Sequence, residues 1–187
     1  MNKAVFIDKD GTLINDVPYN VDVSRISFAP GVIDGMMLLK NSGFKLIVVS
    51  NQSGIARGFF TEAQLHEVSK HIQKQLAQYG LRIDSFYYCP HCASGTVKEY
   101  SIECICRKPW PGLLLKAAKD YHINLNLSWM IGDILNDVEA GHNAGCKTIL
   151  INNGNETEWV MSPERTPGYI VKNFKEAAEI ILALKHV

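Results

Sequence analysis

The sequence lacks any apolar run long enough to cross a bilayer, and it lacks a net charge. It has 19 Lys and Arg residues against 19 Asp and Glu residues, so a basic face for nucleic acid is not expected. The first residues, MNKAVFID, hold one lysine before a folding element begins, unlike a signal peptide. We therefore expect a cytoplasmic protein that binds neither nucleic acid nor a membrane.

A disulfide framework is not expected either. The chain has five cysteines, an odd number, and the cytoplasm keeps most thiols reduced. Repeats, low-complexity tracts and linkers are also missing. The length of 187 residues, with 47% hydrophobic residues, fits a single domain over residues 1–187, which we expect to be monomeric.

Six short apolar runs, rich in β-branched residues, predict buried strands. They are Ala4–Ile7, Lys45–Ser50, Ser85–Cys89, Trp129–Gly132, Thr148–Ile151 and Tyr169–Val171. Helical segments lie between most of them: PGVIDGMMLLKNSG, TEAQLHEVSKHIQKQLAQYG, PGLLLKAAKDY, NDVEAGHNAG and FKEAAEIILALK. This alternation predicts an α/β fold, a doubly wound, Rossmann-like parallel sheet with helices on both faces.

Polar side chains follow the predicted strands. The segments are Asp8–Thr12 after the first strand, Ser50–Gly54 at the end of the second, Arg107–Pro109 after a cysteine-rich loop, and Gly132-Asp133 with Asp137 after the fourth strand. Ligands of open α/β sheets bind at the carboxyl ends of the strands. Carboxylates gathered there repel one another unless a cation joins them, and oxygen ligands favour Mg²⁺.

Each of these segments also has an ordinary structural interpretation. Asp10-Gly11 is a common hairpin turn, Gly132–Asp137 could cap a helix, and Lys108 could be a solvated surface charge. Their order along the chain, each after a strand, favours one shared site.

The combination Asp8-x-Asp10-Gly11-Thr12, Ser50-Asn51, Lys108 and Gly132-Asp133-x-x-x-Asp137 resembles the haloacid dehalogenase superfamily. The second acid matches its phosphatases. The segments SNQSGIARG, YYCPHC and CICRKPWPG resemble its small capless branch that removes the 7-phosphate of D-glycero-D-manno-heptose 1,7-bisphosphate. The resemblance extends from the N-terminus to about Ile151 and implies a Mg²⁺-dependent phosphatase that supplies precursors of bacterial surface glycans, including lipopolysaccharide.

By this resemblance and by phosphoryl-transfer chemistry, Asp8 is the expected nucleophile, which forms an aspartyl-phosphate. Asp10 would protonate the leaving oxygen and then take a proton from water. Asp133 would hold Mg²⁺ with Asp8 and the backbone carbonyl of Asp10, and Asp137 would orient these ligands from behind. Lys108 would compensate charge on the transferring group.

Ser50 and the backbone N–H of Asn51 are expected to hold the phosphoryl oxygens. The expected substrate-binding residues are Asp16, Val17, Pro18, Tyr19, Ser50, Asn51, Gln52, Ser53, Arg57, Arg107 and Lys108. The two arginines are suitable donors to a second phosphate. Ile134 departs from the pattern, because relatives often carry a basic residue after the acid, which affects how the distal phosphate is held.

The loop over residues 89–109 predicts a structural Zn²⁺ site. Cys89-x-His91 and Cys104-x-Cys106 supply four ligands on two short turns, which suits closed tetrahedral coordination. Cys89 and Cys92 also form a C-x-x-C pair, so a redox site is the alternative. Closing the loop would place Arg107 and Lys108 at the site.

Two other functions compete with the heptose bisphosphate phosphatase. Histidinol-phosphate phosphatase shares the Asp-x-Asp pair, the zinc loop and the lysine, but it has no second phosphate for SGIARG to recognise. A non-catalytic, zinc-organised binding module is the third possibility, and the joint presence of Asp8, Asp10, Lys108 and Asp133 argues against it.

Overall fold

The computed structural model describes residues 1–184, in which six strands form one parallel sheet. The strands are β1 (Ala4–Ile7), β2 (Lys45–Asn51), β3 (Ser85–Cys89), β4 (Trp129–Gly132), β5 (Lys147–Ile151) and β6 (Tyr169–Val171). Their order in the sheet is β3-β2-β1-β4-β5-β6, and each neighbouring pair is parallel. The predicted strands are thus all present, with β2 and β5 one residue longer.

Five α-helices cover the two faces of this sheet. They are α1 (Val32–Asn41), α2 (Glu62–Ala77), α3 (Gly112–Tyr121), α4 (Leu135–Ala144) and α5 (Phe174–Ala183). Side chains of α1, α2 and α5 pack with Val5 and Ile7 on one face. Side chains of α3 and α4 pack with Ala4 and Phe6 on the other. Alternate residues of β1 therefore point to opposite cores, as in a doubly wound fold.

Local sequence signals explain where the helices begin. Thr61 and Gln64 form a complete capping box at the start of α2, as the sequence predicts. The first helix begins at Val32 rather than next to Pro30, because Gly31 adopts a positive φ of 78° that a helix cannot contain.

The prediction of buried strands is wrong for the two edge strands. In β3 only Cys89 is buried, and in β6 only Val171 is. Both strands have a neighbour on one side alone, so the apolar character of the runs does not by itself indicate a central position.

The carboxyl ends of β1, β2 and β4 lie side by side. Ile7 pairs with Val48 on one side and with Ile131 on the other, so the segments that follow these strands meet at one edge. No separate cap domain stands over that edge within residues 1–184. None of the helices in this described part is long and apolar enough to span a membrane. The single-domain interpretation stays a prediction, and residues 185–187 of that range lie outside the described part.

Candidate active site

A cavity of about 410 Å³ opens at the carboxyl edge of the sheet. Acidic, amide and lysine side chains dominate its wall. The lining residues are Asp8, Lys9, Asp10, Asp16, Pro18, Tyr19, Asn20, Asn51, Gln52, Ser53, Gly54, Phe60, Lys108, Asp133, Ile134 and Asn155. They come from the segments after β1, β2, β4 and β5 and from the end of the cysteine-rich loop.

Lys108 lies between two buried carboxylates. Its Nζ is 2.5 Å from Asp8 Oδ1 and 2.6 Å from Asp137 Oδ1, and it also donates to the carbonyl of Val49. Burial raises the pKa of Asp8 well above its usual range, although the Lys108 ammonium opposes this. Burial alone would lower the pKa of Lys108, but Asp137 and Asp8 outweigh it and raise that pKa.

The backbone of Lys108 is fixed by the side chain of Asn51. The Lys108 N–H donates to Asn51 Oδ1 at 2.9 Å, and Asn51 Nδ2 donates to the Lys108 carbonyl at 3.0 Å. An amide is suited to this pairing because it offers one donor and one acceptor group. The last residue of β2 thus fixes the position of the backbone at the end of the cysteine-rich loop.

Asp133 accepts hydrogen bonds from two side chains. Thr12 Oγ1 donates to Oδ1 at 3.1 Å, and Asn155 Nδ2 donates to Oδ2 at 2.6 Å. Burial and the nearby Asp137 carboxylate raise the pKa of Asp133 to about 6. A Cβ at Gly11 would lie 2.0 Å from Asp133 Oδ2, so only glycine allows this close approach.

The Asp10 carboxylate has partners of its own, Lys9 and Gln52. Lys9 Nζ lies 2.5 Å from its Oδ1, and Gln52 Nε2 donates to its Oδ2 at 3.0 Å. The same Gln52 nitrogen donates to Ser50 Oγ at 2.7 Å. Across the cavity, burial and the Asp10 charge raise the pKa of Asp16.

Asp8, Asp133 and Asp137 fit a divalent metal ion. Each offers a carboxylate oxygen, and these oxygens lie within 4.8 Å of one another. All three residues are buried, and Lys108 contacts two of them, Asp8 and Asp137, at hydrogen-bonding distance. Buried like charges destabilise one another unless a cation is added, and an all-oxygen set favours Mg²⁺.

The cysteine-rich loop brings together the four predicted zinc ligands. The Sγ atoms of Cys89, Cys104 and Cys106 lie 2.9 to 3.3 Å apart, and His91 Nδ1 lies 3.3 Å from Cys106 Sγ. The five cysteines are not joined in disulfides. Three thiols and one imidazole on two short turns match the donor set of a structural Zn²⁺ site.

Cys92 lies outside this cluster. Its Sγ contacts Ser94 Oγ at 3.4 Å and accepts from Arg57 Nη2 at 3.7 Å. Cys89 therefore has its close sulfur neighbours in the second cysteine pair, which favours zinc over a Cys89–Cys92 redox pair.

The predicted substrate-binding residues divide into two groups. Seven line the cavity: Asp16, Pro18, Tyr19, Asn51, Gln52, Ser53 and Lys108. Val17, Ser50, Arg57 and Arg107 lie outside its lining. Ser50 is buried beneath Gln52, whereas the guanidinium of Arg57 is directed to Cys92 and that of Arg107 to the carbonyl of His91.

Several residues of the site were given no role from the sequence. They include Thr12 and Asn155, which donate hydrogen bonds to Asp133, and Lys9, which pairs with Asp10. Asn155 lies in the segment that follows β5, so inspecting the end of that strand as well would have found it. Lys9 has no sequence signal beyond its position between the two acids.

Comparisons with known proteins agree with this geometry. A HAD-hydrolase-like family model matches residues 105–177. The D-glycero-beta-D-manno-heptose-1,7-bisphosphate 7-phosphatase of Escherichia coli K12 is 43% identical over 85% of this chain and 88% of its own length. The enzyme of the same name from Pasteurella multocida is 39% identical over 99% of this chain and 100% of its own length.

The chain belongs to the heptose bisphosphate phosphatase family of HAD-like hydrolases. It is therefore a phosphoric monoester hydrolase. A solved structure of the D,D-heptose 1,7-bisphosphate phosphatase from B. bronchiseptica, complexed with magnesium and phosphate, superposes with a TM-score of 0.83 at 29% identity. The superposition covers 98% of this chain and 99% of the B. bronchiseptica chain. The magnesium in that structure agrees with the cluster of Asp8, Asp133 and Asp137 in this chain.

Proposed function

We propose that this phosphatase removes the 7-phosphate of D-glycero-D-manno-heptose 1,7-bisphosphate in a Mg²⁺-dependent reaction. The observation that carries the proposal is the buried Lys108 between Asp8 and Asp137, on the wall of the cavity that Asp133 also lines. Relatives that share about two fifths of the sequence carry this activity in their names. The product would serve bacterial surface-glycan synthesis.

In the first half of the reaction, a carboxylate oxygen of Asp8 attacks the phosphorus atom. The bond between phosphorus and the sugar oxygen breaks, and its electron pair stays on that oxygen. Asp10 supplies the proton that neutralises it. Lys108 and the backbone N–H of Asn51 compensate the charge on the phosphoryl oxygens, and Ser50 would turn from Gln52 to donate its hydroxyl to them.

In the second half, water attacks the phosphorus of the aspartyl-phosphate. Asp10, now a carboxylate, accepts the proton of that water. The bond between Asp8 and phosphorus breaks, the electron pair returns to Asp8, and inorganic phosphate leaves. Covalent attack followed by hydrolysis thus replaces one difficult step by two easier ones.

The Asp8 and Asp133 carboxylates, with the backbone carbonyl of Asp10, would hold Mg²⁺, and Asp137 would orient the lysine and the first turn of α4. Mg²⁺ bound there would neutralise phosphoryl oxygens and hold the phosphate for attack. Asp137 is suited to its role because it contacts Lys108 Nζ and also accepts from the N–H of Ile134 at 3.3 Å.

The sugar would occupy the outer part of the cavity, along Asp16, Pro18 and Tyr19, and Val17 would support this segment from outside the lining. Tyr19 forms an edge-to-face pair with Phe59, with ring centroids 4.7 Å apart. Both rings are exposed, so they can contact the apolar face of a sugar at the cavity mouth. Arg57 and Arg107 would turn toward the distal phosphate from their present partners.

The zinc cluster would act structurally, since its four ligands leave no position for substrate. Closing the loop fixes the chain directly before Lys108. We also propose that the protein is a cytoplasmic monomer whose partner is a small sugar bisphosphate.

The test is phosphate release by the purified protein with D-glycero-D-manno-heptose 1,7-bisphosphate and, separately, histidinol phosphate. We expect release from the bisphosphate with Mg²⁺, a heptose 1-phosphate product by phosphorus NMR, and loss of release when Mg²⁺ is omitted that added Mg²⁺ restores. Faster release from histidinol phosphate would replace the proposed substrate. No release from either compound with Mg²⁺ present would contradict the catalytic function itself.

A further inference from the structure

Lys9 is a buried lysine to which the reaction described above gives no role. It is 2% exposed and belongs to the largest fully buried side chains among the described residues. Lysines are almost never fully buried unless they are paired. Its position, between Asp8 and Asp10 in sequence and on the wall of the cavity, places it beside the reacting groups.

The partner of Lys9 is Asp10. Lys9 Nζ contacts one carboxylate oxygen at 2.5 Å, and Gln52 Nε2 donates to the other at 3.0 Å. Both oxygens therefore accept a hydrogen bond, and a carboxylate held on two sides keeps one orientation. Lys108 contacts a different pair of acids, Asp8 and Asp137, so the two buried lysines have separate carboxylate partners.

We propose that Lys9 is a positioning residue for the second half of the reaction. Its ammonium holds the Asp10 carboxylate where that group takes the proton of the water attacking the aspartyl-phosphate. The water oxygen bonds to phosphorus, its proton moves to Asp10, and the bond to Asp8 breaks with its electron pair returning to Asp8. This inference rests on the proposed role of Asp10.

The proton ends on the Asp10 oxygen that faces Gln52. An ammonium can only donate, so the oxygen beside Lys9 stays an acceptor. Gln52 is neutral, and its amide can present a carbonyl oxygen to a protonated Asp10 in place of its N–H. Asp10 is then ready to give that proton to the next leaving group.

p-Nitrophenyl phosphate separates the two halves of the reaction. Its leaving group departs without a proton donor, so kcat/KM reports attack by Asp8, and kcat reports hydrolysis of the intermediate. For Lys9→Met we expect kcat to fall roughly 10- to 100-fold, part of the usual contribution of general base catalysis. We expect kcat/KM to stay within about threefold, since positioning of Asp10 does not enter it. A burst of nitrophenolate near one per enzyme should appear, and Lys9→Arg should restore most of kcat.

The controls separate this inference from the proposed function. Lys45→Met removes another lysine that is paired with an aspartate, Asp84 at 3.4 Å, at the far end of β2, and should leave both constants unchanged. Asp10→Asn should lower kcat at least as much as Lys9→Met. If Lys9→Met does not fold, Lys9→Leu gives the same comparison, because it too removes both the donor and the charge.

Two outcomes overturn the inference while leaving the proposed function intact. A parallel fall of kcat and kcat/KM in the Lys9 variant would make Lys9 a substrate-binding or structural lysine. Unchanged constants would give it no part in the reaction. If the wild-type protein releases no phosphate from heptose bisphosphate with Mg²⁺, the proposed function fails first.

Discussion

At the residue scale, Lys108 balances the charge of two buried carboxylates. It is 3% exposed and contacts both Asp8 and Asp137. Removing one member of a buried ion pair costs about 3–5 kcal/mol because the remaining charges lose their partner. In the proposed reaction, the same lysine would also stabilise the charge that develops during phosphoryl transfer.

We therefore expect Lys108→Met to lower kcat by about 10²–10³-fold and to lower the free energy of unfolding in metal-free buffer by about 3 kcal/mol. Steady-state kinetics and urea denaturation measure the two effects. Lys119→Met, at an exposed position in the last turn of α3, is the control and should change neither. Activity near that of the wild type would contradict the role of Lys108.

The sequence predicts best the location of residues that directly follow a strand. Asp8, Asp10 and Asp133 follow strands, and the fold brings such positions together. Contacts that depend on side-chain conformation were not predictable. Tertiary packing places the Lys9 ammonium against the Asp10 carboxylate and directs the Arg57 guanidinium toward Cys92 rather than the cavity. A linear sequence pattern does not contain this information.

At the element scale, the loop over residues 89–109 has few apolar side chains to bury and several exposed ones. Ile102 and Ile105 are 47% and 75% exposed. A segment of this kind does not gain enough from burial to hold one conformation. Metal coordination by its four ligands would supply the missing free energy.

Cys104→Ala should lower the zinc content of the purified protein from one ion per chain and increase protease cleavage within the loop. Elemental analysis by mass spectrometry measures the first effect. Cys92→Ala is the matched control and should keep its zinc, because Cys92 contacts Ser94 and Arg57 instead. Full zinc in Cys104→Ala, or its loss from Cys92→Ala, would show that the ligand set is wrong.

The start of α2 is an element whose sequence signal and structure coincide. Gln64 N donates to Thr61 Oγ1, and Thr61 N donates to Gln64 Oε1. Behind this cap, Leu65, Val68, Ile72 and Leu76 are buried at helical spacing. Local hydrogen bonds and periodicity both lie in the linear sequence, which is why this helix was predictable.

Thr61→Ala should lower the free energy of unfolding by about 1 kcal/mol, because it leaves a helix N–H without its acceptor. Urea denaturation checks this. Thr157→Ala, at an exposed position outside the helices and strands, should have a much smaller effect. Equal midpoints for the two variants would mean that the cap contributes nothing measurable.

At the scale of the whole molecule, the alternation of strands and helices predicts a doubly wound sheet but not the strand order. The order β3-β2-β1-β4-β5-β6 places β1 in the centre with β2 and β4 beside it. That arrangement explains why segments about 40, 100 and 125 residues after Asp8 reach one site, since ligand sites of such sheets lie where the order reverses. The cavity shape, including the Tyr19–Phe59 pair, arises from loops and could not be predicted.

The central claim is that Asp8 captures the phosphoryl group, and trapping that intermediate tests it most directly. The protein is mixed with Mg²⁺ and heptose bisphosphate, quenched in acid within milliseconds, and digested for mass spectrometry. The account predicts one added phosphoryl group on the peptide that contains Asp8, and neither that adduct nor turnover in a folded Asp8→Asn variant. A phosphoryl group on another residue, or turnover near that of the wild type in Asp8→Asn, would contradict it.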